Sequence, residues 1–357
     1  MSVPRRLRLP AVLLAGLLAA CEVPSAPPIL QQTWAVPGDS SGIGVTDLLP
    51  TGVQVSGGNF TAVTQPGTMS STLAQLCGQP VCQSATTVSA PVPAFSGSLQ
   101  QGIAFPSGVT NVTVSGGTLT LAIANTLGFD PLRPNGAAAP YGSAAVLVSS
   151  GATSRTQTFD GSTQAMPTGQ TTTLSVALPT GAYTGSLTVM ITFTVPAGGT
   201  ASLRGTNAVA VTATVQGLTA SSATVGLLNK PFSVAPTGFD LADVDFPDIV
   251  AGGELALRIT NPLMAQAAAT LTLAAPAQGT SGAVSITKPL PIPAGATQTT
   301  TIALTAAELR SLLGKTGVTI GLAGTATGLG SGGTVTVTPS QRIAVKSTIR
   351  LILNAGA

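Results

Sequence analysis

Histidine is absent from all 357 residues, tryptophan occurs once, aromatic residues make up 3% of the chain and charged residues 7%. Each shortage removes a class of function. Without histidine there is no Ser-His-Asp triad, no histidine general base and no histidine metal ligand. The only glutamates, Glu22, Glu254 and Glu308, are too scattered for the paired carboxylates of a glycosidase. The chain is therefore not expected to be an enzyme. After residue 20 every apolar stretch is broken within a few residues by Thr, Ser, Gly or Pro, which excludes a second membrane-spanning helix. A transmembrane barrel also has alternating strands, but its rims are girdled with aromatics, so their scarcity favours a soluble β-protein. Gly, Thr, Ala, Val and Ser dominate what remains, a composition suited to strands and tight turns and poor for helices.

The N-terminus has the three parts of an export signal: a basic region at Arg5, Arg6 and Arg8, an apolar run from Leu9 to Leu18, and small residues Ala19 and Ala20. Leu18-Ala19-Ala20-Cys21 resembles the lipobox of bacterial lipoproteins. The resemblance implies cleavage before Cys21, a diacylglycerol thioether on its sulfur and attachment to a membrane through that lipid. The alternative is a plain secretory signal followed by an ordinary cysteine. Glu22, where an aspartate would be associated with inner-membrane retention, implies the outer membrane. Residues 1–20 then read as signal peptide and 21–32 as a lipidated tether, rich in Pro, Ser and Ala from Glu22 to Pro28. Losing the signal's three arginines leaves 14 − 3 = 11 basic side chains against 11 acidic ones. Balanced, sparse charge gives no expected footprint for nucleic acid or acidic headgroups. Attachment is expected from the acyl chains, at about 0.8 kcal/mol per buried methylene.

With Cys21 lipidated, Cys77 and Cys82 are an even pair in an oxidising compartment, around a small loop with Gly78 and Pro80. A disulfide is expected; two thiolates alone do not complete a metal site.

The strongest internal signal is a duplication. Gly116-Gly117-Thr118-Leu119-Thr120-Leu121-Ala122-Ile123-Ala124-Asn125 recurs as Gly252-Gly253-Glu254-Leu255-Ala256-Leu257-Arg258-Ile259-Thr260-Asn261, an offset of 261 − 125 = 136. Pro167 to Leu178 matches Pro293 to Leu304, Gly198-Gly199-Thr200 matches Gly332-Gly333-Thr334, and Phe105-Pro106 and Phe246-Pro247 precede or join the copies. Blocks in one order at nearly constant offset mean two copies of one domain. Short alternating strands with turn signals between them predict an all-β fold of two tandem immunoglobulin- or fibronectin-like β-sandwiches, at residues 92–220 and 221–357. Residues 33–91, with strand candidates at Thr33–Val36, Ile43–Val45 and Val53–Val55 and a helix between Met69 and Leu76, read as an N-terminal segment, either a small subdomain or strands that add to the next domain. Leu187, Val189, Ile191, Phe193 and Val195 share one strand face, as do Ile343, Val345, Ile349, Leu351 and Leu353. Thr305-Ala306-Ala307-Glu308 is a capping box opening a short helix that Gly314 ends. Leu255 to Pro262, followed by Ile292-Pro293-Ala294-Gly295, resembles the water-stress domain of late-embryogenesis-abundant proteins, which implies a sandwich without catalysis; the first copy has Thr126 in place of Pro262.

Three motifs are weighed against blander readings. Gly38-Asp39-Ser40-Ser41-Gly42 has the spacing of a nucleophile elbow, but no base and no following helix is expected. Gly328 to Gly333 has a nucleotide-loop spacing, but a strand follows it, so a hairpin turn is expected. Asp240, Asp243, Asp245 and Asp248 supply four of the eleven acidic residues within nine positions. Hard oxygen ligands at a domain junction suit calcium, whereas the interleaved Leu241, Val244 and Phe246 suit a strand with solvated carboxylates. Arg342, Lys346 and Arg350 on the last strand read as protection of a sheet edge rather than a partner site. The expected function is a lipid-anchored, non-catalytic envelope module that is structural or binds protein or glycan. The alternative is an accessory protein holding a small molecule or lipid between its layers.

Overall fold

A computed structural model describes residues 30–244, 247–279 and 282–355. Alternation of apolar and small polar residues writes strands along almost all of it. The chain opens with β1 (Leu30–Gly44), β2 (Val53–Ser56), β3 (Asn59–Ala62), β4 (Gly67–Thr72), the short helix α1 (Leu73–Cys77) and β5 (Val88–Pro91). Then come β6 (Phe95–Ala104), β7 (Val109–Asn125), β8 (Ser143–Ser150), β9 (Thr153–Asp160), β10 (Gln170–Ala177), β11 (Gly181–Thr184), β12 (Ser186–Val195), β13 (Thr200–Leu203) and β14 (Ala208–Gly226). The last third holds β15 (Lys230–Phe239), β16 (Val250–Thr260), β17 (Ala265–Ala275), β18 (Val284–Ile292), β19 (Thr297–Thr305), α2 (Ala306–Leu312), β20 (Val318–Gly328), β21 (Thr334–Val337) and β22 (Arg342–Ala355).

The fold is all-β, with two sandwiches. In the first, β4-β14-β7-β10 faces β6-β12-β8-β9; in the second, β1-β22-β16-β19 faces β15-β20-β17-β18. Number the eight strands of either sandwich along the chain and both give sheets 1-8-3-6 and 2-7-4-5. That order is a jelly roll, built from two Greek keys, where an immunoglobulin domain would run ABED against CFG. Leu187, Val189, Ile191, Phe193 and Val195 on β12 are all buried, and so are Ile343, Val345, Ile349, Leu351 and Leu353 on β22. At roughly 1.5–3 kcal/mol per side chain, burying five such residues stabilises by about 10 kcal/mol.

The duplicated blocks land on equivalent strands. Asn125 ends β7 and Asn261 directly follows β16, both 1% exposed, and their side chains make the same three bonds. Asn125 Nδ2 donates to Phe129 O (2.9 Å) and Met166 O (2.6 Å), and its Oδ1 accepts from Leu127 N–H (2.9 Å). Asn261 Nδ2 donates to Ala265 O and Pro293 O (both 2.8 Å), and its Oδ1 accepts from Leu263 N–H (3.0 Å). The Pro167 and Pro293 blocks form β10 and β19, and the Gly-Gly-Thr blocks open β13 and β21. Phe246 lies outside the described residues.

The domain boundaries need correction. Residues 33–91 are not a segment of their own: β1 supplies the first strand of the second sandwich and β4 that of the first, while the β2–β3 hairpin extends the first through β14. The first sandwich is thus inserted between strands one and two of the second, and a boundary at 220 would cut β14. The breaks at Pro37 and Gly38 conceal one continuous strand. A bulge between Pro37 and Ser40 shifts its register on β22, and Gly38 reaches across to pair with Phe239 of β15. A Cβ at Gly38 would collide with the Phe239 ring and Ser347 Oγ, so only glycine lets the bulge approach β15 this closely. Because β1 covers β22, the basic residues of the last strand do not guard an edge.

Helices are short and capped. Met69 lies in β4, and the predicted helix begins later, at Leu73, with Thr72 Oγ1 accepting from Gln75 N–H. In α2 the expected box is formed: Glu308 N–H donates to Thr305 Oγ1 (3.2 Å) and Thr305 N–H to Glu308 Oε2 (2.8 Å). Gly328–Gly333 is not a hairpin turn, because β21 leaves the second sandwich and pairs with Ala223–Gly226 of β14 in the first.

Candidate interaction site

The structure sorts the sequence candidates. Cys21 lies outside the described residues. Cys77 and Cys82 form the expected disulfide, with Cys82 fully buried beneath α1. Ser40 is exposed in the middle of β1, and no helix follows it, so the elbow spacing has no elbow geometry. Asp240, Asp243 and Asp248 are exposed, Asp245 lies outside the described residues, and among the described residues no three His, Cys, Asp or Glu side chains converge as metal ligands do. Asp240 instead lines a cleft of about 400 Å³ with Asp39, Pro37 and Phe239, beside the bulge where β1 touches β15. Sequence spacing could not find that neighbour, which is 201 positions away (240 − 39). Glu254 pairs with Arg350 at 2.9 Å and Glu308 with Lys288 at 2.7 Å, so neither glutamate is free.

An open cleft of about 660 Å³ lies in the second sandwich, lined among others by Asn229, Gln266, Gln298, Thr300, Pro291 and Thr325. Its residues come from four strands and one turn, so no local motif announced it. Asn229 has φ 50° and is clamped to the neighbouring strand: its N–H donates to Thr327 Oγ1 (3.2 Å), whose hydroxyl donates to Asn229 Oδ1 (3.1 Å). None of the lining side chains is ionisable. Such a surface can offer neutral hydrogen bonds and small apolar contacts, and no proton transfer near neutral pH.

Two cavities in the first sandwich, one beside Thr64 and Tyr183 and one beside Phe60 and Phe105, measure about 10 and 20 Å³. Each is about the size of one water molecule. The resolved ionisation shifts belong to structural contacts. Burial pushes the Tyr183 phenol up to about 12, and its hydroxyl donates to Pro179 O at 2.7 Å. The Lys288 ammonium, then the Thr305 N–H, hold Glu308 below the ordinary carboxylate value. Hydrogen bonds from Ser162 lower Asp160.

No family model matches the chain, and no curated protein matches it. Among solved structures, it is similar at 10% identity to a protein of Parabacteroides distasonis ATCC 8503 described as secreted, with TM-score 0.31 over 90% of this chain and 99% of that one. Further likenesses are the cowpea mosaic virus top component (10% identity, TM-score 0.22, 83% and 91% covered) and the STIV MCP (11%, 0.17, 81% and 97%). At these TM-scores the likenesses carry no argument about function.

Proposed function

We propose that this chain is a lipid-anchored, non-catalytic lipoprotein of the cell envelope, its two jelly rolls displayed as a structural or interaction module for protein or glycan. The observation that carries the reading is Leu18-Ala19-Ala20-Cys21 closing an export signal, nine positions before the first described strand at Leu30. A segment of that length at most spans about 30 Å and would hold the sandwiches close to the bilayer. The disulfide supports an oxidising compartment outside the cytoplasm, and Glu22 favours the outer membrane. A non-catalytic role rests on the missing histidine and on clefts without a nucleophile–base pair. Between the interaction reading and a ligand held inside the layers, the small enclosed cavities favour the first.

The test is Cys21→Ser in the exporting cell. The wild-type chain should start at Cys21 and carry the mass of a diacylglyceryl group, and the variant should keep residues 1–20 and carry no such mass. A wild-type chain without the diacylglyceryl mass, or a variant that matures to the wild-type mass, overturns the proposal.

A further inference from the structure

Net charge conceals how the charges are placed. On the outer surface of β1-β22-β16-β19, Arg342, Lys346 and Arg350 project from β22 and Arg258 from β16, all exposed. These are four of the eleven basic residues left after Cys21 is freed. Register places Arg258 directly opposite Lys346, and Glu254 opposite Arg350. Glu254 is the one acid on the strands of this surface, and it is bonded to Arg350. Asp47, just beyond the far end, accepts from Gly44 N–H at 2.8 Å, and Asp39 turns toward Gly238 on the opposite sheet. Like charges directly across a strand pair are destabilising, so the Arg258–Lys346 juxtaposition calls for an anion outside the fold.

The other copy supplies a control. The equivalent surface of the first sandwich, β4-β14-β7-β10, has no charged residue along any of its four strands, only Thr, Ser, Ala and similar neutral side chains. One duplicated sheet is neutral and the other basic, and the basic one contains β1, the strand leading back to Cys21. Arg342 and Arg350 are eight residues apart, or about 26 Å along the strand. Ile352, on the same surface and 38% exposed, pairs with Thr33 near the tether.

We propose that this basic sheet surface lies against anionic lipid headgroups and sets the orientation of the anchored protein on its membrane. The assignment rests on the lipid-anchor reading for its geometry, but its test is independent of the anchor. Each basic side chain near an anionic bilayer strengthens partitioning about fivefold, and the attraction fades beyond a Debye length of about 10 Å at 0.1 M salt.

The chain from residue 21 onward, carrying Cys21→Ser, is sedimented with vesicles of phosphatidylcholine alone or mixed with phosphatidylglycerol. It should favour the anionic vesicles at low salt and lose that preference at high salt. Arg258→Gln, Arg342→Gln and Lys346→Gln together should lower the preference about 100-fold, while Arg258→Lys with Arg342→Lys keeps it. Unchanged melting curves show that the variants remain folded. Equal partitioning on both vesicles, or a triple variant that binds like its parent, overturns the proposal. Binding to soluble polyglutamate without binding to anionic vesicles would assign the surface to an acidic macromolecule and also overturn it.

Discussion

Asn261→Ala perturbs the most informative buried contact. The side chain is 1% exposed and satisfies three backbone groups: the carbonyls of Ala265 and Pro293 and the N–H of Leu263. Truncation leaves those groups without partners in the interior, each at about 1–3 kcal/mol, and local relaxation recovers part of the sum. The expected loss is about 3–5 kcal/mol, large for a single substitution. Asn261→Asp should be at least as damaging, because an acceptor would then face two carbonyl oxygens. Urea unfolding followed by fluorescence is the assay. The single tryptophan, Trp34, sits on β1 and so reports the second sandwich. Asn125→Ala, which removes the matching bonds in the first sandwich, should cost a similar amount, read by circular dichroism. If the two sandwiches unfold as one unit through β21, Trp34 will follow either substitution; if not, it will follow Asn261 alone. A loss below about 1 kcal/mol for Asn261→Ala would refute the argument that these bonds hold the strand ends.

Two further outcomes follow from buried hydroxyls. Thr64 is 7% exposed and, among the described residues, its Oγ1 has no hydrogen-bond partner, so Thr64→Val should stabilise by about 1 kcal/mol in the same urea assay. Tyr183 is raised to about 12 in the folded state against 10.0 in the open chain, so its contribution is complete below pH 10 and is lost as pH rises through 12. Tyr183→Phe should cost about 1 kcal/mol at neutral pH through the lost bond to Pro179 O and flatten that alkaline limb, measured as melting temperature against pH.

Much of this architecture was legible from local rules. Period-two alternation placed the buried faces of β12 and β22, the repeated Gly-Gly to Asn block placed β7 and β16, and Thr305 with Glu308 placed the start of α2. Those features depend on neighbours a few residues away. What stayed hidden depends on partners far along the chain. Alternation along β1 does not say that Val36 and Ile43 lie beside Ile349 and Ile343, and Pro37-Gly38 looks like a break until the neighbouring β22 and β15 that bracket the bulge are known. The same holds for β21, whose partner belongs to the other sandwich, and for the cleft beside Asn229, assembled from separate strands. The charge balance gives a sum and not its placement: the first-copy sheet contributes no charge, while Arg258 and Lys346 meet across a strand pair.

The marriage of the first strand to the last has a consequence for biogenesis. Leu30 pairs with Ala355, so the second jelly roll cannot close until the last strand of the chain is available to it. The inserted jelly roll lacks only β21 at that stage and can condense while its host still waits with an open seam. Quality control therefore falls on the end of the chain: a truncation that removes β22 strips the central strand from between β1 and β16 and leaves two raw edges, ready to recruit a neighbour's strand.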